Sequence, residues 1–330
     1  MKPFGETLPR VSRTTTIFVT GKRQGVGHGR PISVPDSIQT YVDLREVISQ
    51  LEPIEIAVSQ SGSYGFDKNA GMSARTLAFA YFLGVMLGDM SKRPSRSEIC
   101  RSMSVMLKLS QRHRSNLRFG SFVALCAGMI GIRMKRIKDH FEVLSSGYHY
   151  HAFVWLSQSS ELLMWIFEKC LGLRAGETTT RNPIRGNWLL SAPVKFQAWF
   201  LQGLADSDGY VDLNKHEIGI VVEPNRNLIA KILDRLRVRF RHSRIKGQST
   251  FLMSLNEGFR LPIFSPFARP HKFELMKKLV KARRFRGPWP RWLRHDVDRL
   301  VSLGKPSGEV ILTILDKHNV AIRSQHIRQR

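Results

Sequence analysis

The pattern of apolar and polar positions along the chain predicts short helices and short strands. Two stretches, residues 77–88 and 194–207, are apolar helical runs. After each run, alternating apolar residues, as in half-buried strands, are followed by a helical pattern and then by alternation again. The order helix, two strands, helix, two strands, helix therefore occurs twice. This order predicts an α+β fold with an internal duplication.

The predicted elements divide the chain into four candidate domains, residues 1–72, 73–186, 187–285 and 286–330. The first unit, residues 73–186, has a helix ending at Asp89, a strand at 103–109, a helix at 116–132, strands at 141–144 and 150–156, and a serine-capped helix at 161–170. The second unit, residues 187–285, has helices at 194–207, 225–240 and 271–284 and strands at 210–213, 217–222, 244–246 and 250–255. A Gly-, Thr-, Arg- and Pro-rich linker, residues 176–187, separates the units.

The ends of the chain are of a different character. Residues 1–72 form an extension of unclear structure, whose basic, glycine-rich part at 21–30 is either a phosphate-contacting arm or a plain leader. A short helix is predicted at 42–51 and a short strand at 53–58. Residues 286–330 form a small tail of three predicted helices that resembles a helix-turn-helix DNA-binding unit. A purely structural three-helix cap is the alternative.

The two apolar runs align without gaps, 119 residues apart (208 − 89). Each carries small residues four apart, namely Gly84 and Gly88 in YFLGVMLGDM and Gly203 and Ser207 in WFLQGLADSDGYV. Residues at this spacing share one helix face, and small ones allow two helix backbones to approach closely. We therefore predict that the two helices pack against each other at these positions.

A carboxylate follows the second small residue of each copy. Packing of the two helices would bring Asp89 and Asp208 together at the helix C-termini. The two charges repel each other, and a helix C-terminus is itself partly negative. A shared divalent cation relieves this repulsion, and Mg²⁺ favours carboxylates, carbonyls, water and substrate phosphates. The pattern predicts a metal-dependent hydrolytic nuclease. The alternative is two core helices that each end in an aspartate.

At these residues the sequence resembles a known family. LQGLADSDG resembles the LAGLIDADG motif of homing endonucleases, and FLGVMLGDM resembles the degenerate partner in their single-chain, two-repeat members. The resemblance implies that Asp89 and Asp208 are catalytic, metal-binding acids, and that the main-chain carbonyls of Gly88 and Ser207 contribute to the metal site. It implies Mg²⁺, with Mn²⁺ as a substitute. Met90 departs from the motif, which ends in glycine.

The resemblance also implies two pseudo-symmetric αββαββα repeats whose sheets form a saddle over DNA. Such a protein is a monomer that cuts both strands of a long pseudo-palindromic or asymmetric target and leaves short 3′ overhangs. A lysine near the last helix would organise water or stabilise charge at the scissile phosphate. Lys272 is the first choice for this lysine and Lys246 the second. The matching residues 157–161 of the first repeat contain no lysine.

The net charge agrees with a polyanionic partner. The 330 residues include 52 Lys and Arg against 26 Asp and Glu, which gives a formal net charge of +26. A ribosome-associated or merely basic protein would have the same balance. Candidate DNA contacts are the polar residues of the predicted strand faces and of the last helix: Ser102, Ser104, Lys108, Ser110, Lys215, Glu217, Arg244, Lys246, Gln248, Thr250, Arg323, Ser324, Gln325 and Arg328. Ordinary solvated faces are the alternative.

The number and spacing of the cysteines and the length of the apolar runs indicate the cellular compartment. Cys100, Cys126 and Cys170 match no zinc spacing, and an odd number argues against a disulfide framework. The longest apolar run is too short to span a membrane, and the N-terminus lacks a signal-peptide core. These features predict the cytoplasm or an organellar matrix.

Two classes of function remain. The first is a site-specific, Mg²⁺-dependent double-strand DNA endonuclease of the homing type. The second is a non-cleaving nucleic-acid-binding protein on the same fold, either an intron RNA maturase or a LAGLIDADG/helix-turn-helix transcriptional regulator. An intein is disfavoured, because no Cys or Ser starts the chain after Met1 and the chain does not end in His-Asn.

Overall fold

A computed structural model describes residues 14–20, 29–35, 74–94, 102–111, 113, 115–137, 139–143, 149–174, 176–285 and 288–328. The elements predicted at 42–51 and 53–58, and most of the glycine-rich segment, lie outside these residues. Near the N-terminus, strands β1 (Thr14–Thr20) and β2 (Gly29–Pro35) form an antiparallel hairpin.

The first unit begins with the apolar helix α1 (Ala74–Leu87). It continues with β3 (Met90–Pro94), β4 (Met103–Ser110), α2 (Ser115–Met129), β5 (Met134–Arg136), β6 (His140–Val143), β7 (His149–Ser157) and α3 (Glu161–Trp165), and α3 runs into one π-helical turn (Ile166–Cys170). Ser160 caps α3 by accepting a hydrogen bond from the backbone N–H of Leu163, which confirms the predicted serine cap.

The second unit follows a short 3₁₀ turn (Asn187–Leu190). Its elements are α4 (Val194–Asp208), β8 (Gly209–Asp212), β9 (Glu217–Val221), α5 (Arg226–Arg235), β10 (Phe240–Ile245), β11 (Gln248–Ser254), α6 (Leu255–Arg260) and α7 (Pro270–Lys281). The chain then forms α8 (Arg291–Ser302), α9 (Ser307–His318) and α10 (Ser324–Arg328).

The strands form antiparallel sheets, so the predicted α+β class is confirmed. One sheet has the order β3-β4-β7-β5, and β6 also pairs with β7. The other has the order β10-β11-β9-β8. In each sheet the second and the last strand of the unit lie side by side at the centre. These strands are β4 and β7 in the first sheet and β9 and β11 in the second.

Helices α1 and α4 lie at the centre of one large core. From Leu77 to Leu87 every α1 residue except Gly84 is a buried apolar residue, and α4 is buried from Phe196 to Asp206. A helix that is apolar on all sides must be covered on all sides. Buried apolar residues from the sheets and outer helices of both units cover these two helices.

Several local predictions differ from the structure. Helix α5 ends at Arg235 instead of residue 240, because Arg237 adopts a left-handed φ of 54° and Phe240 leaves the helix to pack on Phe251, with 4.7 Å between the ring centroids. Strands β3 and β5 and helix α6 have no counterpart among the predicted ranges. Helix α6 carries a readable signal, because Ser254 caps it by accepting from the N–H of Glu257, as in a capping box.

Helices α8 to α10 enclose a small apolar core of their own. Its residues are Leu293, Val297, Leu300, Val310, Ile311, Ile314, Val320, Ile322 and Ile327. Asp296 of α8 accepts hydrogen bonds from Lys317 at 2.7 Å and contacts His318 at 2.6 Å, and these contacts hold its pKa at about 2. The last helix was predicted from residue 321 and begins at Ser324. Throughout the described part of the chain, no helix is both long and apolar enough to cross a bilayer.

Candidate functional site

Helices α1 and α4 pack at backbone contact. A Cβ on Gly84 would collide with the carbonyl oxygen of Phe200 and lie 2.7 Å from the N of Leu204. A Cβ on Gly203 would collide in the same way with the carbonyl of Tyr81. No side chain larger than hydrogen fits at either position. The small-residue spacing therefore does what the sequence predicted and brings the two helix backbones together.

The helix contact brings the two acids into one site. A Cβ on Gly88 would lie 2.5 Å from Cβ of Ser207 and 2.8 Å from Oδ2 of Asp208, and Asp89 directly follows Gly88. Burial and the nearby charge of Asp89 raise the pKa of Asp208 to about 7, against the opposing effect of Lys272. Burial also raises the pKa of Asp89 to about 6, against the opposing effect of Arg269 and Lys272. The four residues of the predicted metal site are therefore adjacent.

The two acids leave the helices differently. Helix α4 continues to Asp208, and β8 begins at Gly209, whose N–H bonds back to Ala205 O. Helix α1 ends at Leu87, two residues before Asp89, and β3 begins at Met90. The absence of a motif-ending glycine at Met90 coincides with this earlier helix end.

Arg269 is a buried cation beside the acids. Its Nη2 lies 4.0 Å from Oδ2 of Asp89, and its Nε donates to the carbonyl of Asp206 at 2.9 Å. Its Nη1 donates to Oδ1 of Asn116, and its guanidinium stacks 3.9 Å from the ring centroid of Phe119. Burial lowers the pKa of Arg269. These contacts fix one positive charge beside Asp89, held by residues of both units.

Lys272 is the second cation of the site. From the first turn of α7 its Nζ donates to the carbonyl of Gly209 at 2.6 Å and to that of Asp206 at 3.3 Å. Burial and the charge of Arg269 lower the pKa of Lys272 to about 8, although the nearby carboxylates raise it. The structure places Lys272 at the end of α4 beside the acids, whereas Lys246 lies in the exposed β10–β11 turn.

A fully buried carboxylate anchors this end of α4. Asp206 accepts a hydrogen bond from the hydroxyl of Tyr81 on α1 at 2.7 Å and from the N–H of Ser265 at 3.2 Å. Burial raises the pKa of Asp206 to about 7, and the Tyr81 hydrogen bond opposes that rise. Asp206 therefore joins α1, α4 and the segment that carries Arg269 and Lys272.

We expect Tyr81→Phe to destabilise the fold, and more at pH 8 than at pH 5. The folded pKa of Asp206 lies above its unfolded value, so its carboxyl is protonated at pH 5 and ionised at pH 8. The lost hydroxyl served the ionised form, so we expect a loss of about 2 kcal/mol above pH 7 and less below it. Urea unfolding in EDTA at both pH values measures this. Tyr210→Phe on β8 is the control, and an equal loss for Tyr81→Phe at both pH values would contradict the assignment.

The donor set fits a hard divalent cation. Two carboxylates whose pKa values are raised by burial, and for Asp208 also by mutual repulsion, gain from a positive charge placed between them. Carboxylate and carbonyl oxygens are ligands that Mg²⁺ and Mn²⁺ accept. In the described residues no group of three or more His, Cys, Asp or Glu side chains is gathered as a metal site. A cation here would therefore need main-chain carbonyls, water or substrate oxygens to complete its shell.

The predicted DNA contacts of the first unit lie on and beside β4. Oγ of Ser102 lies 2.8 Å from Oγ of Ser159. Ser104, Lys108 and Ser110 are half-buried and share one face of the strand. That face also carries a small buried apolar cluster around Met106, Ala152 and Val154, so it is less polar than predicted.

The candidates of the second unit do not share one face. Gln248 and Glu217 lie on the face opposite the core, but Arg244 pairs with Ser249 on the side that carries Phe251. The pairing register of β10 sets this side, and because Arg244 is exposed its contact with DNA stays a prediction. Thr250 is also buried, at 1% exposure. Glu217 accepts from Arg241 at 2.7 Å, and Lys215 and Lys246 are exposed in turns.

In the tail, Arg323 precedes α10 and is exposed, and Gln325 is exposed on α10. Ser324 begins the helix and is half-buried, and Arg328 is its last residue. The backbone therefore places all four predicted residues at the C-terminal helix. The structure does not bring them to the acids.

Sequence reasoning missed three site residues, Tyr81, Asp206 and Arg269. The signal for Asp206 is the first aspartate of LADSD, an ionisable residue inside an apolar helix. The signal for Arg269 is weaker, because it lies among several cations in PFARPHK. Tyr81 and Asp206 are 125 residues apart, and only the helix contact brings them together.

No family model matches the chain, and no curated protein matches it. The homing endonuclease I-DmoI, in complex with DNA and Mn, is similar over 60% of this chain and 97% of its own, at 15% identity and a TM-score of 0.36. The homing endonuclease I-WcaI bound to its DNA recognition sequence is similar over 70% and 91%, at 9% identity and 0.43. Full-length DUF199/WhiA from Thermatoga maritima is similar over 84% of both chains, at 11% identity and 0.41. At such scores the similarity alone establishes neither family nor activity.

Proposed function

We propose that this protein is a divalent-metal-dependent, site-specific DNA endonuclease built from two LAGLIDADG-like repeats. The observation that carries the proposal is the contact of α1 and α4, which places Asp89 and Asp208 together at the ends of two aligned motifs. The similar order of elements, and the placement of the second strand of each unit beside its last strand in both sheets, support an internal duplication. In such an arrangement the two sheets flank the acids and form a saddle for a DNA duplex.

The residues of the site divide the chemistry among them. Asp89 and Asp208 would hold Mg²⁺ or Mn²⁺ with the carbonyls of Gly88 and Ser207, and the bound cation supplies Lewis-acid activation of water and of the phosphate. Lys272, with its lowered pKa, lies where it can orient water or offset charge on the phosphate. Arg269 lies 4.0 Å from Asp89 and opposes the rise in the pKa of this acid that burial causes. One chain supplies both acids, so a monomer suffices for both strands.

A second candidate is a non-cleaving nucleic-acid-binding protein on this fold, either an intron RNA maturase or a transcriptional regulator. Two observations favour it. The C-terminal helices have a core of their own, as an added helix-turn-helix unit would. Arg269 also gives Asp89 charge compensation that needs no metal.

Cleavage of a randomised plasmid library by the purified full chain separates the two candidates. We expect discrete double-strand cuts at one long sequence in Mg²⁺ or Mn²⁺, with short 3′ overhangs in the sequenced ends, and none in EDTA. A chain that retains duplex DNA or structured RNA tightly but makes no cut in either metal would replace the nuclease proposal with the second candidate.

A further inference from the structure

A basic cleft lies between the end of the second sheet and the C-terminal helices. Its volume is about 340 Å³, at the lower end of the roughly 300–1,000 Å³ of ligand sites. The cations that line the basic cleft are Lys215, Arg239, Arg241, Arg284 and Arg323, all of them exposed. Among its lining residues the only carboxylate is that of Glu217, which Arg241 engages at 2.7 Å. The basic cleft therefore holds a large excess of positive charge.

Hydrogen bonds fix the backbone beside three cations of the basic cleft, Lys215, Arg284 and Arg323. His216 is buried in the β8–β9 turn, and its Nε2 lies 3.0 Å from the carbonyl oxygen of Ile322. Lys215 and Arg323 are the chain neighbours of these two residues. This contact therefore fixes the β8–β9 turn next to Lys215 and fixes the C-terminal segment next to Arg323.

A second contact joins the segment after α7 to the same C-terminal stretch. The N–H of Arg283 donates to the carbonyl of Asn319 at 2.9 Å, and its carbonyl accepts from the N–H of Ala321 at 3.0 Å. Arg284 follows directly. Lys215, Arg284 and Arg323 thus come from three separate stretches of chain that these hydrogen bonds join to one another.

The basic cleft lies at the end of the sheet and takes lining residues from both faces, with Phe240 and Met253 on the core side and Arg241 and Leu252 on the side away from the core. Arg241 pairs with Leu252 and Leu252 pairs with Gly219, so these residues share one face. The intervening residues Phe251 and Ile220 point into the core. Along β9, Glu217 at the cleft is three residues from Ile220, which pairs with Gly209 beside Asp208. At about 3.3 Å per residue this is about 10 Å.

We propose that the basic cleft binds phosphates of a DNA duplex that is engaged at the acids, beside the point of cleavage. Guanidinium groups match phosphate oxygens in geometry, and phosphate contacts fix the register of a protein on DNA without reading its sequence. About 10 Å corresponds to roughly three base pairs. The C-terminal helices thus act as one wall of a backbone clamp. The assignment of duplex DNA rests on the proposed function, whereas phosphate binding by the cleft does not require cleavage.

Salt dependence of binding tests the clamp. The probe is a mixed-sequence DNA duplex, with the full chain in EDTA so that cleavage plays no part. We expect the double variant Arg284→Gln/Arg323→Gln to flatten the slope of log K against log salt by about 1.8, at 0.9 per lost phosphate contact. The matched control is Arg226→Gln/Arg235→Gln, which removes the same charge from the exposed ends of α5.

The outcomes are distinct. A flattened slope for the cleft variant and an unchanged slope for the control support the clamp, even if no cleavage is ever found. Equal slopes for the two double variants overturn it, because net charge alone would then explain the binding. A flattened slope seen only with an RNA duplex of the same sequence also overturns it and assigns the cleft to RNA. Equal melting temperatures of both variants exclude unfolding as the cause.

Discussion

Asp208→Asn is expected to abolish DNA cleavage and to leave DNA binding largely intact. The amide keeps the size of the side chain but removes the charge that would hold a cation beside Asp89. Loss of a principal electrostatic contribution to catalysis costs about 10²–10³-fold in rate. We expect the same of Asp89→Asn, since both acids lie in one site. Single-turnover cleavage of the selected target in Mg²⁺, with binding followed separately in Ca²⁺, measures the two effects.

Asp234→Asn is the matched control, because Asp234 is an exposed aspartate of α5. Its variant should cut and bind like the unmodified protein. Cleavage by Asp208→Asn at the normal rate would remove the acids from the mechanism altogether. A variant that loses binding along with cleavage would instead point to a structural role for the acid at the helix end.

Gly84→Ala is expected to have the largest effect on stability. The added methyl group would meet the carbonyl oxygen of Phe200 and the N of Leu204, both main-chain atoms that cannot rotate away. The two helices must then separate, and the core around them loses its packing. Overpacking of this kind costs about 3 kcal/mol. We expect a matching fall in the midpoint of thermal unfolding, accompanied by weaker cleavage as the acids move apart.

Gly308→Ala gives the opposite case. Gly308 lies in the first turn of α9, and a Cβ there would meet no atom within 4 Å. Alanine at an unobstructed helix position stabilises by about 0.5–1 kcal/mol relative to glycine. If Gly84→Ala melted like Gly308→Ala, α1 and α4 could not be in backbone contact.

The helix contact could be predicted from the sequence because it depends on local chemistry. Small residues four apart in two apolar runs leave few other ways to pack, and the structure has Gly84 and Gly203 in contact with the opposite backbone. The α+β class could be predicted because apolar residues recur at helical spacing in some stretches and at every second position in others. The ends of elements were less predictable, as α5 shows, because its apolar pattern continues through Val238 and Phe240 while the backbone turns at Arg237.

The cations around the acids could not be chosen from the sequence with the same certainty. Lys272 and Lys246 are both lysines of the second unit, and only the fold shows that one reaches the end of α4 and the other a solvent-exposed turn. Arg269 depends on Asn116, 153 residues away. Contacts over such separations have no periodicity to reveal them. The pairing register of β10 and β11 likewise decides which face of the sheet a side chain occupies. It puts Arg244 on the side that carries Phe251.

The way Arg269 is held has an evolutionary consequence. Its backbone belongs to the second unit, whereas Asn116 and Phe119, which hold its guanidinium, belong to α2 of the first. Residues 157–161 of the first unit contain no lysine or arginine. A homodimer of the first unit would lack these cations, and a homodimer of the second would lack Asn116 and Phe119. If the chain arose by fusion of two gene copies, its halves have since specialised, and neither can replace the other in a symmetric ancestor-like dimer.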